Sequence, residues 1–145
     1  MSYKFKLQKL LDIREEKEEG KKREFVQAMT SQNLVEKKIK EFKTDYNQYK
    51  NVPLNLSTIE RKVILKYLNT LNMAIETEEK ELKKRKVATE NKRKELVQAQ
   101  VERKTVEILK EKDYKRFKDE ESMKEQKQAD EFALYGHIRK VAERR

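Results

Sequence analysis

The chain has 145 residues with 37 basic and 27 acidic side chains, so its formal net charge is +10. Charged residues make up 44% of the chain and hydrophobic residues 35%, a balance that excludes a thick globular core. Two glycines and one proline are too few for a sheet protein or a many-loop enzyme, so we expect long, solvent-exposed helices. The charge favours an anionic partner and leaves nucleic acid, an acidic protein surface and anionic lipid open.

Several classes of function lack the residues they need. The chain has no cysteine, which excludes disulfides, thiolate metal sites and cysteine nucleophiles. With Gly20 and Gly136 as the only glycines, a phosphate-binding loop of the Walker or dinucleotide type cannot be written. The one histidine, His137, has no second histidine and no carboxylates at ligand spacing with which to bind a metal. We therefore expect neither enzymatic activity nor a cofactor.

The sequence also lacks a segment suited to a signal peptide or to a membrane span. Lys4, Lys6 and Lys9 interrupt the apolar residues near the N-terminus, so we expect no signal peptide. The apolar run at residues 63–65 is far shorter than the roughly 20 residues that span a bilayer. These features predict a cytoplasmic protein without a membrane span.

The first predicted helix extends from about residue 4 to residue 50. Its apolar residues recur at alternating spacings of three and four, which is typical of a coiled-coil seam, and polar residues interrupt that seam. The apolar seam positions are Leu7, Leu11, Phe25, Ala28, Val35, Ile39, Phe42, Tyr46 and Tyr49, and the interruptions are Arg14, Glu18, Lys21 and Gln32.

A turn is predicted at residues 51–57, where Pro53 ends the helical pattern. Directly after it, Ser57 and Glu60 have the spacing of a capping box, so a second helix should begin at about residue 58 and continue to about residue 141. Its seam positions are Ile64, Leu68, Leu71, Ile75, Leu82, Leu96 and Ala99, interrupted by Glu78, Arg85, Thr89 and Lys92.

Folding the chain back at the proline predicts an all-α protein, a single antiparallel coiled-coil hairpin of two long helices, the second longer than the first. We expect residue i of the first helix to lie near residue 107 − i of the second, so that Ile39 meets Leu68 and Leu11 meets Leu96. The second helix would then be unpaired from about residue 105. This tail ends in an apolar cluster, for which docking, self-association and fraying all remain open.

The basic stretch between Lys80 and Lys118 carries most of the excess positive charge. It could be read as a contact for an acidic partner or phosphate, or as the solvated face of a coiled coil. Nucleic acid is disfavoured because aromatic stacking residues are nearly absent between Lys80 and Arg103.

Two apolar regions also have alternative interpretations. The aromatic residues near the turn, together with Leu54, would either anchor a partner or pack on one another around Pro53. The apolar segment at residues 3–13 would either face lipid or, as we prefer, pack on the second helix near Ala99 and Val101.

Two blocks of sequence, Phe5–Glu15 (FKLQKLLDIRE) and Glu125–Glu131 (EQKQADE), resemble the flagellar export protein family FliJ. The length and the turn about one-third along the chain are similar too. The resemblance implies an antiparallel coiled coil similar to the central stalk of rotary ATP synthases. It further implies a non-enzymatic cytoplasmic protein, peripherally associated with the flagellar basal body, that binds the hexameric export ATPase and links it to the membrane export gate.

The resemblance leaves open whether the protein also carries export chaperones. The alternative to this family is a generic coiled-coil scaffold or a basic nucleic-acid-associated helical protein.

Three candidate partner surfaces follow from the stalk analogy, the charge and the aromatic residues. The ring end, by analogy with the stalk, would contact the ATPase; the shank would add an electrostatic contact; and the tip would contact the gate. The ring end comprises Phe5, Leu7, Gln8, Leu11, Arg14, Arg103 and Lys104; the shank comprises Lys83, Lys84 and Lys86; and the tip comprises Phe42, Tyr46, Tyr49 and Tyr67.

Overall fold

The computed structural model describes residues 2–53 and 55–144. Helix α1 is Gln8–Tyr49 and helix α2 is Thr58–Glu143, and these described residues contain no strand. The two helices pack against each other as an all-α hairpin with the turn around Pro53, which confirms the predicted fold class. Leu54, assigned to the tip region from sequence, lies outside the described residues. Neither helix has a described stretch long and apolar enough to cross a membrane.

Two compact units can be distinguished, unit 1 formed by Met1–Glu16 with Val101–Arg145 and unit 2 formed by Lys17–Gln100. Among the described residues of each unit, burial is confined to seam positions, because a helix paired with only one neighbour covers one narrow stripe. The described residues that are buried are Leu11 and Val106 in unit 1, and Ile39, Leu68, Leu71, Thr89 and Ala99 in unit 2.

A capping box starts α2. The backbone N–H of Glu60 donates to Ser57 Oγ at 3.2 Å, and the backbone N–H of Ser57 donates to Glu60 Oε2 at 3.4 Å. These two bonds satisfy backbone donors that the first turn of a helix otherwise leaves free. The helix therefore begins where the spacing of serine and glutamate predicts.

The register predicted for the helix pair is wrong by about nine residues. In unit 2, Lys38 Nζ lies 3.9 Å from Glu78 Oε1, and the rings of Tyr49 and Tyr67 are 5.5 Å apart. The predicted partner of Ile39 was Leu68, whereas its neighbour Lys38 contacts Glu78. The prediction assumed a symmetric turn. In the structure, Tyr67 lies opposite the end of α1, and α2 begins nine residues before Tyr67, so the first turns of α2 extend beyond the end of α1.

The same displacement occurs in unit 1. Arg14 forms an ion pair with Glu102, and the Tyr3 hydroxyl donates to Asp113 Oδ2 at 2.9 Å. The N-terminal segment therefore packs near Asp113 and Phe117 rather than near Ala99 and Val101. Contacts with the first part of the chain continue to Phe117, so the exposed part of α2 begins later than residue 105. Every described residue from 122 onwards is exposed.

Two of the predicted polar interruptions, Lys21 and Lys92, form a ring of four charges in unit 2 with Glu24 and Glu95. Lys21 Nζ lies 3.4 Å from Glu24 and 3.5 Å from Glu95, and Lys92 Nζ lies 3.4 Å from Glu24 and 3.3 Å from Glu95. Each lysine thus bridges both glutamates. The predicted register would have placed Lys21 near Arg85 and Lys86, whereas the observed one places opposite charges together, a favourable arrangement at this distance.

Thr89 is the one buried polar residue among those described, with 7% of its surface exposed. Its hydroxyl donates to the backbone carbonyl of Arg85 at 2.9 Å, and the carbonyl of Ala28 lies 3.3 Å away. The second distance joins the side chain of Thr89 on α2 to the backbone of Ala28 on α1. The helices can approach this closely because the side chain of Ala28 is short. Thr89 and Ala28 therefore form a layer in which the two helices approach closely.

Thr89→Leu should destabilise the protein by about 1–3 kcal/mol, because the larger side chain has no room beside the α1 backbone. Thr89→Ser keeps the hydroxyl and removes one methyl group, so it should cost only about 0.8 kcal/mol. Thermal or urea unfolding followed by circular dichroism at 222 nm measures both changes. Equal stability of the leucine variant and the wild type would contradict the close approach at this layer.

Glu95→Gln should lower the melting temperature at neutral pH, with an effect that depends on pH. The hydrogen bond from Lys92 holds the pKa of Glu95 below its ordinary value of 4.5, so the stabilisation is present above pH 4.5 and is lost as the pH falls through the lower folded-state pKa. The hydrogen bond to Glu95 raises the pKa of Lys92 above 10.5, so that contribution is complete below pH 10.5 and is lost as the pH rises through the raised value.

The difference in melting temperature between wild type and Glu95→Gln should therefore be largest between these limits and shrink on both sides. Added salt should also reduce it, because the four side chains are accessible to solvent. A difference that stays constant across the acid limit and at high salt would show that the charge of Glu95 does not contribute.

Candidate partner-binding surfaces

The residues before α1 are fixed to α2 by an aromatic cluster in unit 1. The ring of Tyr3 lies edge-on to Tyr114 with centroids 5.1 Å apart, and 5.3 Å from the ring of Phe117. Removal from water, followed by the hydrogen bond and charge of Asp113, raises the pKa of the Tyr3 hydroxyl above 10.0. Nearby, Lys110 Nζ donates to Gln8 Oε1 at 2.7 Å. Tyr3 and Gln8 thus hold the start of the chain at two points.

A groove of about 500 Å³ lies between the N-terminal segment and one face of α2. Apolar side chains line its floor, and Leu7 and Leu109 keep 42% and 47% of their surface exposed. Four cationic side chains surround this floor, and none of them forms an ion pair with another described residue. We call it the terminal groove, and its lining residues are Lys4, Phe5, Lys6, Leu7, Leu109, Lys112, Asp113 and Arg116.

Several predicted ring-end residues are buried or form ion pairs within the chain. Leu11 is only 3% exposed. Arg14 is paired with Glu102, and Arg103 Nη1 lies 2.7 Å from Glu107 Oε2. Only the ring-end residues that lie nearer the solvent leave substantial surface exposed.

The remaining ring-end residues lie nearer the solvent. Phe5 and Gln8 are partly buried, while Leu7 and Lys104 are exposed. Gln8 also donates from Nε2 to Asp12 Oδ1 at 3.0 Å, so its side-chain amide is engaged on both sides. Phe5 and Leu7 line the terminal groove and share it with residues that the sequence-based selection missed.

The shank lysines, in unit 2, have a different environment. Lys83, Lys84 and Lys86 are all exposed, and none forms an ion pair with a described residue. Nearby cations are paired: Arg85 Nε lies 3.0 Å from Glu81, and Arg93 Nη2 lies 2.6 Å from Glu90. The hydrogen bond from Arg93 lowers the pKa of Glu90. The shank therefore keeps its positive charge available to a partner.

The tip is partly packed on itself. Phe42 and Tyr46 are partly buried on α1, and the rings of Tyr49 and Tyr67 meet edge-on at 87°. Tyr49 and Tyr67 nevertheless keep 42% and 41% of their surface exposed. The tyrosines of the tip therefore contact each other and still leave aromatic surface exposed.

Six residues that line the groove were not among the ring-end residues named from sequence: Lys4, Lys6, Leu109, Lys112, Asp113 and Arg116. One signal existed, because residues 109, 112, 113 and 116 have the spacing of a single helix face. What the sequence did not supply was the segment that faces them. The nine-residue error in register placed the N-terminal residues beside a different part of α2.

The model of a family described as "Flagellar FliJ protein" matches residues 3–142. No curated protein and no solved structure matches the chain.

Tyr3→Ala should release the N-terminal segment from α2, because it removes both ring contacts and the bond to Asp113. Cleavage by trypsin after Lys4 and Lys6 should become about tenfold faster, as local opening becomes easier. Tyr3→Phe keeps the rings and should be intermediate. Tyr135→Ala is the matched control, since Tyr135 is 65% exposed and should leave the cleavage rate unchanged. Equal cleavage rates for Tyr3→Ala and wild type would contradict this anchoring role.

Proposed function

Because the chain belongs to the flagellar FliJ family, and so has a role related to flagellar export, we propose that it couples the export ATPase to the export gate. In this proposal the protein performs no catalysis. It binds the hexameric export ATPase, promotes the assembly or activity of that ring, and links it to the membrane export gate from the cytoplasmic side of the basal body. The observation that carries the proposal is the family match over residues 3–142.

The ring end would provide the contact with the ATPase. The exposed surfaces of Leu7 and Lys104 and the free cations of the terminal groove support this assignment. Leu11, Arg14 and Arg103 would act indirectly, by holding α1 and α2 in place, because burial and ion pairs already engage them. The outer residues would make the direct contacts.

The shank would add an electrostatic contact with the same ATPase. Lys83, Lys84 and Lys86 are exposed and free of ion pairs with described residues, so they can pair with carboxylates on another protein without losing an internal partner. Charges of this kind mainly raise association rates and give binding a dependence on salt.

The tip would contact the gate through Tyr49 and Tyr67. Tyrosine is common at the centres of protein interfaces because its ring supplies apolar area and its hydroxyl a hydrogen bond. The edge-on pair is supported from within, so a partner would meet rings that are already ordered.

Adding the protein to the purified flagellar export ATPase at physiological salt should produce a saturable rise in ATP turnover, accompanied by ring assembly. Reversing charge with Lys83→Glu, Lys84→Glu and Lys86→Glu together should raise the half-maximal concentration about tenfold or more, because it replaces attraction by repulsion. Lys62→Glu with Lys66→Glu is the control, since these lysines are exposed elsewhere on α2.

Unchanged stimulation by the triple variant would remove the shank from the contact, and absence of any stimulation or co-purification would contradict the coupling function. Binding to random duplex DNA would favour the nucleic-acid alternative if its affinity fell steeply with salt, as release of counterions requires.

A further inference from the structure

We propose that the terminal groove binds an acidic amphipathic segment of a partner protein, with the apolar side chains of that segment on Leu7 and Leu109 and its carboxylates toward the surrounding cations. This inference deepens the proposed function, because it states which chemistry a partner must present at the ring end. It rests on four properties of unit 1: an apolar floor, unpaired charge, fixed walls and a concave form.

The floor of the groove supplies apolar surface that the hairpin itself does not cover. Leu7 and Leu109 each leave more than two-fifths of their surface exposed, although Phe5 beside them is partly buried. A volume of about 500 Å³ falls in the range of pockets that hold small ligands. It can therefore receive a few side chains from one face of a helix or an extended peptide.

Cations stand on both walls of the groove. Lys4 and Lys6 belong to the N-terminal segment, and Lys112 and Arg116 belong to α2. The one carboxylate in the lining, Asp113, already accepts a hydrogen bond from Tyr3. The lining therefore carries four cations against one carboxylate, a net charge of +3 around an apolar centre, which is complementary to a segment with a central apolar stripe and flanking carboxylates.

Both walls are fixed before any partner arrives. The Tyr3 ring is packed on Tyr114 and Phe117, and Lys118 Nζ lies 5.2 Å from the centroid of the Tyr114 ring. The bond from Lys110 to Gln8 secures the other end of the N-terminal segment. A prearranged groove loses little conformational entropy on binding, which favours recognition of a specific segment.

Two other anionic partners fit this geometry less well. A bilayer surface takes up side chains that protrude, whereas the floor here lies between two cationic walls and Phe5 is partly buried. Single-stranded nucleic acid is bound by stacking on free aromatic rings, whereas Tyr3 contacts Tyr114 and Phe117. The observations therefore favour an acidic peptide segment.

The test uses the full-length protein and two fluorescein-labelled helical peptides that share one leucine stripe. One peptide carries glutamate beside the stripe and the other carries lysine. By fluorescence anisotropy, the glutamate peptide should bind saturably with a Kd on the order of 10 μM. The lysine peptide should bind at least tenfold more weakly, because it brings like charges to the walls.

Two charge-reversal variants locate the binding. Lys112→Glu with Arg116→Glu, and separately Lys4→Glu with Lys6→Glu, should each weaken the glutamate peptide about tenfold. The first pair changes exposed helix positions four residues apart, and the second changes residues outside the helices, so the two variants disturb folding differently. Lys62→Glu with Lys66→Glu makes the same change in net charge elsewhere and should alter the Kd less than twofold. Leu7→Ser should weaken binding without any change in charge.

Equal affinity for the two peptides would overturn the proposal, as would unchanged binding by both groove variants in protein that retains its helical circular dichroism. Direct binding to phosphatidylglycerol vesicles that is lost in the same variants, with no peptide binding, would overturn the proposal and assign the groove to lipid instead. The assay contains no ATPase. Absence of ATPase stimulation with intact peptide binding would therefore contradict the proposed function alone. Intact ATPase stimulation with no peptide binding would contradict this inference alone.

Discussion

Opposite charges face each other in the observed alignment of the two helices, and the described contacts of each unit follow from that alignment. In unit 2, the ring formed by Lys21, Glu24, Lys92 and Glu95 satisfies both lysines with both glutamates. In a protein with a large core, tight packing would exclude most alternative alignments. Here each helix buries one narrow stripe. If one helix is displaced along the other, apolar residues still meet apolar residues, whereas opposite charges separate or like charges come together.

The same principle explains why unit 1 has a site at all. With Arg14 paired to Glu102 and Tyr3 bonded to Asp113, the N-terminal segment lies along a face of α2 that carries Leu109 and three charged residues. A different alignment would put that segment against other side chains, and no groove with these walls would form. The groove is therefore a consequence of register.

Local features were predictable from sequence, and those that depend on alignment were not. The capping box at Ser57 and the apolar stripes that include Ile39 on α1 and Leu68 on α2 each follow from spacing within a single helix, so no knowledge of the partner helix was needed. The register and the terminal groove require knowing which residues face each other. Heptad spacing repeats along both helices, so many alignments satisfy it, and the assumption of a symmetric turn selected a wrong one.

The length of the exposed tail of α2 determines which way its terminal apolar residues face. Leu134 and Val141 lie four and five heptads after buried Val106, and Ile138 lies three heptads after Phe117, so these three apolar residues recur at the heptad spacing of the seam. The positions in between that share this phase are Glu120, Lys124, Lys127 and Glu131. Removing one residue from this polar stretch would rotate the terminal stripe by about 100° around the helix, whereas removing seven would leave its direction almost unchanged. The number of residues in the polar stretch therefore matters more to the direction of the last turns than the identity of its exposed side chains.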